Sequence, residues 1–329
     1  MALTTRRTFL ALGSALVVHA RVAKSESPPR KWRIGYLAAG PRSPDAAPPT
    51  ALQQALRERG YVAGQNVEFV SRFAEARSER LPGLAREIAA SKVDVAAALG
   101  WKGARALKDA TSTTPIVFIG AGDPVQAGLV AALGHPGGNA TGISDQSADL
   151  SAKRLELLEQ LVPGAKRIAV LWNADDLAMT LRYREIEHAA RVLHGTVQPL
   201  GVHEPEDFDQ AFAAMLKDRP DALLLVTDAL TTLNRRRVLQ FATEHSIPTM
   251  YEYGWLVREG GLISYGPDLD DMFRRAALYI DRILHGAVAG DLPVEQPTRY
   301  YLLINVTTAR ALGISVPPSL VLRADEIVQ

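Results

Sequence analysis

The chain has 329 residues, a formal net charge of +1 at pH 7, 47% hydrophobic residues and no cysteine. The balanced charge gives no electrostatic basis for binding nucleic acid. The missing cysteines exclude disulfides, thiolate zinc sites and a cysteine nucleophile. The length predicts two domains of ordinary globular composition.

The N-terminus has the pattern of an export signal. Arg6-Arg7 precedes the apolar or small residues Phe9–Val18, a stretch too short to span a bilayer. The arginine pair and the Thr-Phe-Leu that follows it resemble the twin-arginine motif. Cleavage is expected after Ala20 or Ala23, and we assign residues 1–23 to the signal, with a retained anchor or an uncleaved leader as the alternatives. The mature protein is therefore expected in the periplasm.

The chain then alternates between strand and helix patterns. In the first half, apolar runs predict strands at 32–40, 66–73, 93–100 and 114–121, and periodic runs predict helices at 49–60, 78–91 and 102–110. A glycine-rich stretch, 122–142, follows the last of these strands.

The alternation restarts after residue 143. Helices are predicted at 151–162, 180–194, 205–218 and 231–245, and strands at 166–172, 196–202, 220–228 and 247–253. This βαβ order predicts an α/β fold of two doubly wound lobes, each a parallel sheet with helices on both faces. A long helix, 269–286, and a strand-like run, 299–306, come after both series, so either lobe could contain them and the domains are predicted to be discontinuous.

No catalytic pattern is present in the sequence. Gly120 and Gly122 fit the start of a dinucleotide fingerprint, but Val125 occupies the position of its third glycine, and no lysine of a phosphate loop follows. The chain has no G-x-S-x-G elbow and no H-x-x-x-H pair. We therefore predict no catalytic residue, no metal site and no cofactor.

Ligands of open parallel sheets bind beyond the carboxyl ends of the strands. Small, aromatic and polar residues lie at or near these ends, a combination suited to holding a small molecule without transforming it. Asp228 could bind a ligand ammonium or cap the next helix, and the aromatic residues could be ligand contacts or core. The candidate ligand-binding residues are Ala38, Ala39, Trp101, Gly120, Asp123, Thr141, Asn173, Asp228, Tyr251, Tyr253 and Tyr265.

Several longer segments resemble a known family. GDPVQAGLVAALGHPGGNATG at 122–142, SYGP at 264–267 and DLPVEQPT at 291–298 resemble the ABC-transporter substrate-binding proteins of the TrpX-like family. The resemblance implies a type I periplasmic binding protein architecture, in which two α/β lobes close on a ligand. The expected lobes are 31–143 with about 267–290, and 144–266 with about 291–329.

The resemblance also implies a function. We expect a non-enzymatic protein, monomeric, that captures a small organic ligand, an amino acid or another aromatic or amphipathic solute, and delivers it to an ABC transporter permease in the membrane. Asp123 would end a strand at the cleft, and Gly137–Gly142 would lead into a hinge. Trp101 replaces a residue that is usually smaller and is expected to reshape the pocket, and Glu252 lies in a loop that is often glycine-rich. The alternatives are an exported ligand sensor for a membrane receptor and an exported α/β oxidoreductase or hydrolase.

Overall fold

Two mainly parallel sheets organise residues 30–329, the part of the chain that the computed structural model describes. The predicted signal at 1–23 lies outside the described residues. Both sheets belong to a single compact unit, Lys31–Gln329. The predicted α/β class with parallel sheets is therefore confirmed. Between residues 30 and 329, no helix combines the length and apolar character that crossing a membrane would require.

The first sheet has five parallel strands in the order β2-β1-β3-β4-β5. All four residues of β4 are buried, as expected for a parallel sheet covered by helices, whereas the edge strand β2 exposes Glu68. The strands are β1 Trp32–Ala38, β2 Val67–Phe73, β3 Val95–Leu99, β4 Ile116–Ile119 and β5 Ala140–Ile143. The helices between them are α1 Thr50–Glu58, α2 Leu81–Ala90 and α3 Gly100–Ala110.

The second sheet has seven strands in the order β12-β11-β10-β9-β8-β6-β7. The strands are β6 Arg167–Asn173, β7 Thr196–Val202, β8 Ala222–Leu225, β9 Thr249–Tyr251, β10 Ile263–Gly266, β11 Tyr301–Asn305 and β12 Glu326–Val328. The pair β10–β11 is antiparallel, whereas the alternation predicted parallel pairing throughout. A strand that enters from a distant segment is not bound by the direction that a βαβ crossover imposes.

Helices cover the second sheet and link it to the first. They are α4 Ser151–Leu161, α5 Leu177–Val192, α6 Asp207–Lys217, α7 Ala229–Leu233, α8 Arg235–Glu244, α9 Gly254–Arg258, α10 Leu269–Leu284, α11 Val306–Ala311 and α12 Pro318–Arg323. The helix predicted at 231–245 is divided between α7 and α8, because Asn234 turns the chain there.

Helix α10 packs on the core of the first sheet, although it follows the strands of the second. Its buried face includes Met272, Phe273 and Ile280, which join the cluster formed by β1, β3 and β4. The Tyr279 hydroxyl donates to the Pro293 carbonyl at 2.6 Å and so ties the helix to the chain that returns to the second sheet. The chain therefore crosses between the sheets more than once, and the exact lobe boundaries stay a prediction.

The glycine-rich stretch meets two backbone requirements. Gly137 and Gly138 have φ of +67° and +64°, which suits tight turning. Gly142 lies within β5 at φ +152°, where a Cβ would collide with the backbone of Phe118 on β4. Close approach of two strands thus explains Gly142, and hinge motion at this stretch stays a prediction.

Candidate functional site

A cavity of about 380 Å³ lies between the carboxyl ends of strands from both sheets. The first sheet contributes the ends of β1 and β3 and the residue after β4, and the second contributes the end of β6 and the loops after β8 and β9. Parallel strands bring their carboxyl ends to the same edge, so two such edges facing each other enclose a site. The volume falls within the roughly 300–1,000 Å³ typical of small-molecule sites.

The structure brings most of the predicted residues together in this cavity. They come from both sheets, as the strand-end argument requires. The predicted residues in the lining are Ala38, Ala39, Trp101, Gly120, Asn173, Asp228 and Tyr253.

The remaining predicted residues lie outside the lining, where turn, strand and core contacts occupy them. Asp123 is exposed, and its carboxylate accepts from the backbone amides two and three residues ahead. The Thr141 hydroxyl donates to the Leu292 carbonyl at 2.7 Å. Tyr251 is fully buried in the core of the second sheet, and Tyr265 packs against the core on its other face. Side chains alternate between the faces of a strand, so a position near a strand end does not by itself aim a side chain at the cavity.

Asp228 both caps a helix and lines the cavity. Its Oδ1 accepts from the Thr231 amide at 2.9 Å in a capping box that starts α7. Its Oδ2 accepts from Asn173 Nδ2 at 2.6 Å. From the sequence, Asp228 could either cap a helix or contact a ligand. The structure shows that Asp228 caps α7, and Asp228 also lines the cavity.

A second carboxylate, Asp176, lines the cavity beside Asp228, and the sequence analysis did not select it. Only 4% of Asp176 is exposed, and its Oδ1 caps α5 by accepting from the Ala178 amide at 2.9 Å. Within residues 30–329, no donor reaches its Oδ2. Burial, and then the charge of Asp228, raise the pKa of Asp176 to about 6. The pair therefore concentrates negative charge where a cationic group would be stabilised.

A cation lines the same cavity. Lys102, in the first turn of α3, donates from Nζ to Ser78 Oγ at 3.0 Å. No side chain of the described residues caps the start of α3, and the first amides of a helix have no partner within it. Across the described residues, no three His, Asp or Glu side chains gather in a way that could hold a metal ion.

Aromatic side chains form much of the apolar wall. Trp101 donates from Nε1 to the Ala127 carbonyl at 2.9 Å and packs against core clusters of both sheets. Trp101 therefore bridges the two sides of the cavity, and the expected reshaping of the pocket stays a prediction. Tyr36, Phe73 and Trp255 also line the cavity, and the sequence analysis did not select them.

A buried network of charged residues lies behind the cavity. Arg182, which reaches the lining, donates to Asp145 at 2.6 Å and to Glu252 at 3.0 Å. Arg154 donates to Glu252 at 3.3 Å, and the Tyr253 hydroxyl donates to Asp145 at 2.7 Å. The two arginines and two carboxylates balance in charge, and each side chain is at most 2% exposed. The network joins the segment after β5 to α4, α5 and the loop after β9.

Opposing effects decide the ionisation of this network. Burial alone would raise the pKa of Asp145, but the charge of Arg182 and the Tyr253 hydroxyl hold it below its ordinary value. Burial alone would lower the pKa of the Arg182 guanidinium, but the charges of Asp145 and Glu252 raise this pKa above its ordinary value. Periodicity could have revealed Arg182, because it shares its helix face with the buried Met179 and Ile186.

The model of one protein family matches most of the chain. The family described as "ABC transporter substrate binding protein" matches residues 47–328.

Individual relatives agree with this match. The tyrosine-binding protein of Clostridioides difficile (strain R20291) is 30% identical over 262 residues, which cover 79% of this chain and 75% of that protein. The ABC domain from Streptococcus pneumonia in complex with L-Trp superposes with a TM-score of 0.84 at 24% identity, over 91% of this chain and 100% of that one. The ligand-free, open structure of CD0873, a substrate-binding protein from Clostridium difficile, superposes with a TM-score of 0.64 at 26% identity, over 91% and 99%.

Proposed function

Because the chain belongs to the family of ABC transporter substrate-binding proteins, we propose that it captures a small amino acid-like solute for an ABC importer. Proteins of this family bind solutes and are not enzymes. The chain has the type I periplasmic binding protein fold that its sequence motifs implied. The cavity between the two sheets is the ligand site in this proposal.

The observation that carries the proposal is the acidic pair, Asp176 and Asp228, in a cavity with aromatic walls. Asp176 has a carboxylate oxygen that no described residue reaches with a donor, and Asp228 lies close enough to raise the pKa of Asp176. A buried carboxylate of this kind is costly unless a partner compensates its charge. A ligand ammonium would supply both a donor and the opposite charge.

The ligand class follows from the wall and from the relatives. Tyr36, Phe73, Trp101 and Trp255 offer apolar and stacking area to a ring or a long apolar group. The C. difficile relative is described as tyrosine-binding, and the S. pneumonia domain was solved with L-Trp. An aromatic amino acid therefore fits the cavity better than a sugar or an inorganic ion.

Delivery to a transporter in the periplasm is part of the same proposal. Its support is the family match together with the twin-arginine-like Arg6-Arg7 signal in the sequence. Closure of two lobes around the solute would create a surface that a membrane permease can distinguish from the open form. In this proposal the protein acts as a monomer.

Calorimetric titration with L-tyrosine, L-tryptophan and L-phenylalanine tests the proposal. The variant Asp228→Asn keeps an acceptor for the helix cap but removes the charge, and should weaken binding of the preferred amino acid about 10- to 100-fold. Asp123→Asn is the matched control, because Asp123 also accepts backbone amides but lies outside the lining. Equal affinity of the wild-type and Asp228→Asn proteins would contradict a role of the Asp228 charge in ligand binding.

A further inference from the structure

Two cationic side chains of the cavity lining, Arg42 and Lys102, form no ion pair with a described carboxylate, and Lys102 is the more buried of the two. Three cationic residues, Arg42, Lys102 and Arg182, reach the lining. Arg182 is held by Asp145 and Glu252, and Arg42 is exposed at the rim. Lys102 is half-buried, and none of the described residues forms an ion pair with it within 4.0 Å.

The ammonium of Lys102 has hydrogen-bonding capacity left for a ligand. Its Nζ carries three donors, and its one partner among the described residues is Ser78 Oγ at 3.0 Å. Because that hydroxyl oxygen accepts from Lys102, the Ser78 proton is still available to a second acceptor. Both residues line the cavity, so this capacity lies where a bound solute would meet it.

Two further groups of the cavity can donate to an anion, and the second lies beside Lys102. Thr227, also in the lining, has a buried hydroxyl that makes no hydrogen bond in the described structure. The uncapped first turn of α3 presents backbone amides beside Lys102, and such amides favour negative charge. The charge of Lys102 lowers the pKa of Asp176, so Lys102 lies close enough to Asp176 for one solute to contact both.

We propose that Lys102 binds the carboxylate of the captured solute while Asp176 and Asp228 bind its ammonium, so that the cavity selects zwitterions. This inference rests on the proposed function, because it assumes that the solute occupies this cavity. It makes Lys102 a specificity-determining residue that separates amino acids from amines of the same shape. A lysine on the first turn of α3 would thus perform a role that the sequence did not suggest.

The test compares three probes that differ only in charged groups: L-tyrosine, tyramine, which lacks the carboxylate, and hydroxyphenylpropanoate, which lacks the ammonium. Lys102→Met should weaken tyrosine and propanoate binding about 10- to 100-fold and change tyramine binding less than about twofold. Lys102→Arg keeps the charge and should retain most of the affinity for tyrosine. Lys108→Met is the matched control, because Lys108 lies on the same helix and donates to the Leu129 carbonyl at 2.6 Å, outside the cavity.

The outcomes separate this inference from the proposed function. Equal losses for tyrosine and tyramine in Lys102→Met, or no loss for tyrosine, overturn the role of Lys102 and leave the proposed function standing. If the wild-type protein binds the propanoate through Lys102 but does not bind tyrosine, Lys102 still binds a carboxylate, but the selection of zwitterions and the amino-acid class both fail. Binding of none of the three probes to the wild-type protein overturns both.

Discussion

The ligand-free protein should become more stable when the acidic pair loses one charge. Asp176→Asn keeps an acceptor for the amides at the start of α5 and removes a carboxylate whose pKa burial and Asp228 raise from 3.8 to about 6. At 1.36 kcal/mol for each pH unit, ionisation of Asp176 in the fold costs about 3 kcal/mol at neutral pH. The variant should recover up to that amount and bind an amino acid more weakly, an exchange of function for stability.

The pH dependence gives the sign of this effect. Below pH 3.8 the carboxyl is protonated in both the folded and the unfolded chain, and the substitution should be nearly neutral. Between pH 3.8 and about 6 the folded state holds the proton more tightly, so the wild-type protein loses stability as pH rises. Above about pH 6 the full difference between variant and wild type should persist.

Urea unfolding without ligand at several pH values measures this difference, provided the m-values of the two proteins agree. Asp268→Asn is the control, because Asp268 caps α10 through the Asp271 amide at 2.7 Å and lies outside the cavity lining. It should change stability by less than about 0.5 kcal/mol. An Asp176→Asn protein that is less stable than wild type at pH 7, or a difference that does not shrink on acidification, would refute the reasoning.

Two further substitutions test parts of the fold that support the site. Arg182→Met leaves buried carboxylates uncompensated and should cost about 3–5 kcal/mol in urea unfolding, and adding Asp145→Asn should restore part of that loss; strictly additive losses would contradict a coupled network. Gly142→Ala places a Cβ against the Phe118 backbone and should cost more than about 2 kcal/mol in the same assay. Gly60→Ala, at φ +88° with open space around it, isolates backbone strain and should cost less, so equal costs would contradict the clash.

The sequence predicted the order of strands and helices well because that order is a local property. Apolar runs such as β4 and periodic runs such as α10 carry their own signal. The antiparallel pairing of β11 depends on where a distant segment returns to the sheet, and no local pattern records it. The break at Asn234 between α7 and α8 was also missed, because the helical periodicity continues across it.

The strand-end argument predicted part of the cavity lining for a similar reason. Gly120, Asn173 and Asp228 sit directly at or after strand ends, where the backbone alone brings them to the cavity. Asp176 and Lys102 lie at helix starts, where only the packing of the helix on its sheet decides what a side chain meets. A charged residue within an otherwise apolar segment therefore indicates such a lining residue better than its distance from a strand end does.

Native mass spectrometry of the protein with isotopically labelled L-tyrosine or L-tryptophan, followed by mass analysis of the released solute, tests the central claim most directly. We predict one ligand for each chain, lost on Asp228→Asn and on Asp176→Asn, and recovered with its mass unchanged. A released solute of altered mass would contradict capture without chemical change. Equal retention of the solute by the wild-type protein and both variants would contradict binding in this cavity.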